Sequence, residues 1–337
     1  MRKRLLMILA VLVLLVLASG GVALSVYRGK LEPAEPGGEA RTFVVAPGQG
    51  LGQIARGLER AGLVRDWRAV EIAGRWKGLA DQLRAGEYEL SPGEPALTLL
   101  EHIVAGRIKT YPVVIPEGLR ASEIADRLAE AGLAQRDEFL AYALSPQAAA
   151  NHGVEGTGLE GYLYPDTYRI PRGMSSEQIA GVLISEFHRV WGTIEERARA
   201  RGLSMREAVT LASIVEKETG APEERPRIAG VFHNRLGRGM RLESDPTTIY
   251  GIADFDGNLR RVHLKDASNP YNTYRIPSLP PGPIASPGRA ALEAVVEPER
   301  NDFLYFVARG DGTHHFSKTY REHTNAVLRY QIRRRSG

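Results

Sequence analysis

The chain has no cysteine among its 337 residues. That absence excludes disulfides, thiolate zinc sites, a cysteine nucleophile and a lipoprotein anchor, and leaves an extracytoplasmic location open. Also missing are a His-Glu-x-x-His helix, a Gly-x-Ser-x-Gly elbow and a phosphate-cradling Gly-Lys-Ser/Thr loop. His233, His263, His314, His315 and His323 have no clear metal spacing, and the adjacent His314 and His315 would face opposite ways in a strand. In the run Asp254 to Asn258 the glycine comes too early for a calcium loop, and Gly48 to Gly52 lacks the dinucleotide spacing, so both read as turns. Charge of one sign is scarce as well: 44 Lys and Arg face 40 Asp and Glu, a net +4. This is too little to argue for nucleic acid, yet it suits an anionic envelope or membrane surface. No cofactor and no metal are expected.

What is present falls into segments, and the length predicts two or three globular units. Residues 5–27 carry no charge and are mostly Leu, Val, Ala and Ile, a run of roughly 34 Å that can span a bilayer. Arg2, Lys3 and Arg4 before it predict a cytoplasmic N-terminus (1–4) and an extracytoplasmic remainder, a single-pass protein of the cell (inner) membrane. A cleaved signal peptide is the competing reading, since Ala18, Ser19 and Gly20 are small. The apolar run continues through Val22, Leu24 and Val26, which favours an anchor. Residues 28–41, with Pro33, Pro36 and three glycines, then read as a flexible tether. The far end is basic again, at Arg333, Arg334 and Arg335.

An internal repeat follows, Thr42 to Val64 against Tyr111 to Ala134, at a constant offset of seventy residues that pairs Val45 with Ile115, Gly48 with Gly118, Ile54 with Ile124 and Gly62 with Gly132. Each copy reads as a short strand, a Pro/Gly turn and an amphipathic helix ending in Ala-Gly-Leu. Two copies are too few for a solenoid. The expected fold class is therefore α+β: small tandem α+β modules at 42–109 and 110–152, then a mixed α+β domain over 153–337. In that domain Gly153 to Pro171 is dense in Gly and Tyr, and Ser268 to Gly288 is stiffened by six prolines. Phe303 to Ala308 reads as a strand leading into a Gly-Asp-Gly hairpin turn. Aromatic loops of this kind suit a sugar cleft, and are as often ordinary packing.

Ser204 to Gly220 is the segment with chemistry in it. Ser204 with Glu207 three residues on is a capping box, and Gly220 with Pro222 beyond supplies the stop. On a helical wheel Met205, Ala208, Val209, Leu211, Ala212, Ile214 and Val215 form one apolar arc, with Arg206, Ser213 and Lys217 opposite. Glu216 and Glu218 both fall inside that arc. Partial burial and the negative end of the helix dipole each raise a carboxyl pKa, which suits general acid catalysis. The bland alternative, an acid that snorkels to water or pairs with a base, applies to either, and the wheel does not separate them.

The strings LEGYLYPDTYRI, LASIVEKETG, IAGVFHNRLGRGMRLESDPTTIYG, PYNTYRIPSLPPGPIASPG and FLYFVARGDGTHHFS, in this order behind one apolar run, resemble the endolytic murein transglycosylases, the MltG or YceG-like family. The resemblance implies cleavage inside nascent peptidoglycan strands between N-acetylmuramic acid and N-acetylglucosamine, leaving a 1,6-anhydromuramic end. It implies that the second carboxyl of the EKET string, Glu218, is the essential acid, with Glu216 in reserve, and that 42–109 is a LysM-like module. Tyr164, Asp166, Asn234, Asp245, Thr247, Tyr271, Asn272 and Tyr274 become candidates for orienting sugar hydroxyl and N-acetyl groups. With the muramic C6 hydroxyl as a tethered nucleophile, one carboxyl can serve as acid and then base. The implied partners are glycan strands, the membrane, and peptidoglycan synthases or division proteins, with no nucleic acid. Two other classes stay open: a noncatalytic peptidoglycan-binding or division scaffold, and a hydrolytic muramidase.

Overall fold

The computed structural model describes residues 2–332, with side chains from Leu6 onward; the charged groups of Arg2, Lys3, Arg4, Arg333, Arg334 and Arg335 lie outside the described side chains. The chain divides into two compact units, one running to Tyr111 with Pro171–Gly173, the other comprising Pro112–Ile170 and the chain from Met174. The second repeat and the domain expected to follow it thus share one unit.

The first unit begins with helix α1 (Arg2–Leu31). Its stretch Leu6–Leu31 is long and apolar enough to cross a membrane, with mean hydropathy 2.8 and no residue of its most apolar window buried. Strand β1 (Arg41–Val45), helices α2 (Leu51–Arg60) and α3 (Trp67–Trp76), strand β2 (Gly86–Leu90) and helix α4 (Ala96–Ala105) follow. β1 and β2 pair antiparallel, from Arg41 opposite Leu90 to Val45 opposite Gly86. Ile54 and Leu58, one turn apart on α2, meet Val70 of α3 and Leu99, Leu100 and Ile103 of α4 in one core. Tyr88 is fully buried there because its hydroxyl donates to the Arg84 carbonyl at 2.7 Å, so no polar atom is stranded.

The segment expected to be a flexible tether is held in place. α1 continues through Leu31, and the chain beyond it is pinned to the unit by side chains. The Tyr27 hydroxyl donates to the Ala69 carbonyl at 3.2 Å, and Lys30 pairs with Asp66 at 2.6 Å. Arg65 donates to the Gly29 and Pro33 carbonyls, and Ser91 donates to the Gly38 carbonyl. Two prolines and three glycines predict looseness only where nothing else binds the backbone.

The second unit contains strand β3 (Tyr111–Ile115, its first residue being the last of the first unit), helices α5 (Ala121–Glu130), α6 (Arg136–Ala143) and α7 (Pro146–Asn151), and strand β4 (Asp166–Ile170), which pairs with β3. Helices α8 (Ser176–Trp191), α9 (Glu195–Ala200), α10 (Met205–Glu218), α11 (Arg225–Gly237), α12 (Asp245–Tyr250), α13 (Arg261–Lys265) and α14 (Arg289–Val296) come next. A hairpin of β5 (Tyr305–Ala308) and β6 (His314–Ser317) and helix α15 (Tyr320–Val327) complete it. The repeat is exact at the level of elements: β3 and α5 begin and end seventy residues after β1 and α2. Its paired glycines are matched in backbone too, Gly48 and Gly118 at φ 79° and 77°, Gly62 and Gly132 at 69° and 66°, a region that side chains resist.

α10 is the axis of this unit. The capping box forms as the sequence predicts, with Ser204 Oγ accepting from the Glu207 amide and Glu207 Oε2 accepting from the Ser204 amide. Every residue from Ala208 to Val215 is buried, against α14, α11, α12 and α9. The wheel's outward placement of Ser213 is therefore wrong. Its hydroxyl donates to the Thr210 carbonyl and accepts the Ile284 amide at 3.0 Å, which removes the cost of burying it. Burial of Val209, Leu211, Ile214 and Val215 contributes roughly 1.5 to 3 kcal/mol apiece and fixes the helix end where the acids sit.

Candidate active site

Glu216 and Glu218, equivalent on a wheel, have unlike surroundings. The Glu216 side chain is 7% exposed and forms an ion pair with Arg225 at 2.9 Å, while its other oxygen accepts the Gly288 amide at 3.1 Å. It is a fastener between α10, α11 and the start of α14. Glu117, 3.5 Å from the same guanidinium, has its carboxyl raised first by burial and then by the Glu216 charge. Glu218, one turn end further on, has no basic partner within ion-pair distance among the described residues. Its Oε1 accepts a 2.6 Å hydrogen bond from Ser244 Oγ, and burial pushes its pKa up from 4.5 to about 7. The Ser244 bond opposes that rise, the Asp245 charge adds to it, and Arg235 reduces it. A group in this state is about half protonated at neutrality, so it can both give up a proton and take one.

Glu218 opens onto a cavity of about 440 Å³, lined also by Arg235 of α11, Glu243, Asp245, Tyr274, and a wall from β5, β6 and α15 that includes Tyr305, His314, Tyr320 and His323. Ser244 occupies the N-cap position of α12, where a serine hydroxyl ordinarily caps the helix; here it makes no cap bond and turns to Glu218 instead. Its neighbour Glu243 has φ 53°, one of two non-glycine residues with positive φ among those described. Strain of this kind gathers where geometry is forced. Arg235 holds the strained turn by donating to the Arg241 and Leu242 carbonyls and to Glu243, and reaches the residue just before β5 through the Leu304 carbonyl at 2.6 Å. Tyr274 donates to Asp245 at 2.8 Å across the cavity rim. At the end of α10, Gly220 lets the hairpin approach, since a Cβ there would meet the Gly312 carbonyl oxygen at 2.7 Å.

A profile of the YceG-like family matches residues 43–329. The chain belongs to the YceG-like family. It is 29% identical over 322 residues to a Bacillus subtilis (strain 168) protein named endolytic murein transglycosylase, covering 90% of this chain and 88% of that one. A protein of the same name from Streptococcus pneumoniae (serotype 2, strain D39) is 29% identical over 320 residues, 86% of this chain and 58% of that one. A 2.6 Å crystal structure of a yceG-like protein from Listeria monocytogenes is 30% identical, with a TM-score of 0.59 over 86% of this chain and 99% of that chain. All but Gln331 of the residues lining the Glu218 cavity lie inside the YceG-like match, and helix α1 lies before it.

Within this YceG-like unit the other sequence candidates scatter. Asp245 and Tyr274 share the Glu218 cavity. Thr247 is fully buried, its hydroxyl donating to the Ser244 carbonyl at 2.7 Å and bonded to Thr273. Asn272 is fully buried too, its amide donating to the carbonyls of His263, Leu264 and Asp266 and its oxygen accepting from Thr248 and the Tyr274 amide. Both shape the loop that carries Tyr274 and neither lines the cavity. Asn234 ties α11 to the carbonyls of Asn301 and Phe303 and borders a different cavity. Tyr164 is core, and Asp166 sits at the exposed start of β4 accepting the Thr167 amide. Tyr271 lines a separate cavity of about 240 Å³ with Tyr162, Arg206, Tyr250 and Glu160. Glu160 accepts the first amide of α5 and the Tyr250 hydroxyl, and burial lifts its pKa to about 7. Sequence reading missed Ser244, Arg235 and Glu160. A serine before Asp-Pro does signal a helix start, but only the fold shows its hydroxyl turned aside.

Proposed function

We propose that this protein is an endolytic murein transglycosylase and that Glu218 is its catalytic acid. The observation that supports this most is a carboxyl with a pKa of about 7 set in a polar and aromatic cavity at the end of a buried helix. Protonated Glu218 gives its proton to the glycosidic oxygen between muramic acid and glucosamine as that bond breaks. The muramic C6 hydroxyl attacks the anomeric carbon from within the same sugar, so high effective molarity replaces a bound water. The simplest base for the hydroxyl proton is the carboxylate that remains. Asp245 and Tyr274, joined at the rim, orient the sugar, while Arg235 and Ser244 keep the acid and its loop in register. Thr247, Asn272, Asn234, Tyr164 and Asp166 then act as supports, and Glu216 as a structural ion pair.

In the same reading α1 is a single-pass anchor in the cell membrane with the rest of the chain outside. The module 42–109 is LysM-like and holds glycan, residues 110–152 form a second repeat-like module, and 153–337 carry the chemistry. The substrate is a nascent glycan strand, and cleavage ends its elongation beside a synthase or division protein. The test is mass spectrometry of glycan strands digested by the detergent-solubilised full-length protein. Anhydromuramic ends are expected, and Glu218→Gln lowers their rate of formation at least about 100-fold without unfolding the chain. Reducing ends would make the protein a hydrolase, intact strands a scaffold, and a fully active Glu218→Gln variant would remove the acid assignment.

A further inference from the structure

The cavity holds a second proton-handling arrangement that this mechanism leaves unused. His314, the first residue of β6, lines it, as Glu218 does. Six residues past Glu218, in the short 3-10 turn Pro222–Glu224, Glu224 turns back to the same strand. Its two carboxylate oxygens each accept the His314 backbone amide at 3.1 Å, and Oε2 lies 2.7 Å from His314 Nδ1. Both side chains are nearly enclosed, at 11% and 10% exposure. The Phe306 ring meets the imidazole edge to face at 5.4 Å, which fixes its plane. A carboxylate is an acceptor only, so Nδ1 carries the hydrogen, and in the neutral ring Nε2 is then the acceptor that Glu224 does not engage.

A one-carboxyl mechanism asks much of Glu218. Ser244 already occupies Oε1 at 2.6 Å, so Oε2 would have to release a proton to the departing oxygen and then collect one from the attacking hydroxyl. We propose that His314, held by Glu224, is a second catalytic residue, the base that takes the C6 hydroxyl proton while Glu218 protonates the leaving oxygen. This rests on the transglycosylase reading. The step balances: the C6 O–H bond breaks as the C6 oxygen bonds to the anomeric carbon, and the bond to the leaving oxygen breaks as that oxygen takes the Glu218 proton. Afterwards the imidazolium returns one proton to the Glu218 carboxylate through cavity water, with no change of oxidation state.

The experiment uses the full-length protein in detergent with glycan strands, reading anhydromuramic ends. His314→Ala is expected to lower turnover about 100-fold or more, to move KM by less than about threefold, and to regain at least about tenfold when free imidazole is added. His314→Gln keeps the volume and a hydrogen bond but cannot shuttle the proton, so it should fold with an unchanged melting temperature and show the same loss. Glu224→Gln, which loosens the ring without removing it, should lose less, about tenfold. His314→Gln with turnover near that of the parent, or a folded His314→Ala that imidazole does not rescue, overturns the proposal. If the parent protein itself makes no anhydro ends, the transglycosylase reading fails first. If the parent is active and these variants behave otherwise, only the role of His314 falls.

Discussion

Replacing Ser244 by Ala perturbs the acid and little else. The backbone amide of residue 244 still donates to Thr273 Oγ1 at 2.9 Å, so the strained turn beside it keeps its anchor. What is lost is one 2.6 Å hydrogen bond to Glu218 Oε1, the largest influence opposing the burial that lifts this carboxyl to about 7. Hydrogen bonds to a charged partner contribute about 1.5 to 3 kcal/mol, and they favour the ionised form. Each pKa unit corresponds to 1.36 kcal/mol, so the acid should hold its proton about 1 to 2 pH units further into the alkaline range. With Glu218 as the proposed acid, the sign is fixed by chemistry: it works protonated, activity falls as pH rises through its pKa, and removing a bond to the ionised form moves that fall upward. The assay is kcat/KM for anhydromuramic ends from pH 5 to 10, parent against Ser244→Ala. At pH 9 the variant should outperform its parent, even if its plateau near pH 6 is several-fold lower. An alkaline limb that stays in place, or moves down, refutes the assignment of Glu218 as the titrating acid under Ser244 control.

Glu216→Gln should separate the two glutamates from the other direction, because it strands the Arg225 guanidinium in a nearly closed site. A loss of about 3 kcal/mol in denaturant unfolding is expected, with Glu117 retaining part of the pairing, and activity per folded molecule should stay within about tenfold. Glu160 predicts a stability trend: its folded pKa, about 7, lies above the ordinary 4.5, so the native state holds the extra proton. That contribution is complete below about pH 4.5 and is lost as pH rises through 7. Glu160→Gln, neutral throughout, should therefore gain on the parent between pH 5 and pH 8 by up to about 3 kcal/mol; a gap that shrinks over that interval contradicts it.

Much of this architecture is legible in the sequence where local physics decides it. The seventy-residue offset, the capping box at Ser204 and the Gly-Asp-Gly hairpin all rest on short-range spacing, and each appears in the structure. The site is legible only in part. Both Glu216 and Glu218 belong to the same arc of α10; Arg225, nine residues on and in another helix, is what makes one structural. Asn234 and Asn272 look like sugar ligands because they are amides in polar motifs, but their partners are main-chain carbonyls, some nearly seventy residues away. Tyr164 and Tyr168 are equally misleading: a tyrosine-rich run signals an aromatic cleft or a wet-edged core, and here both rings are buried. The wheel erred at Ser213 because it assumes one solvent side, and α10 has none along its middle.

The bonds from Tyr27, Lys30, Arg65 and Ser91 that pin residues 27–38 have a consequence for reach. On the proposed reading, with α1 as a membrane anchor, the first module cannot swing on a leash; it stands on the helix like a lamp on a post, at a height the folded chain sets. If that module holds glycan as proposed, such a post would confine it to polymer emerging close to the bilayer and keep it from older, distant layers of the wall.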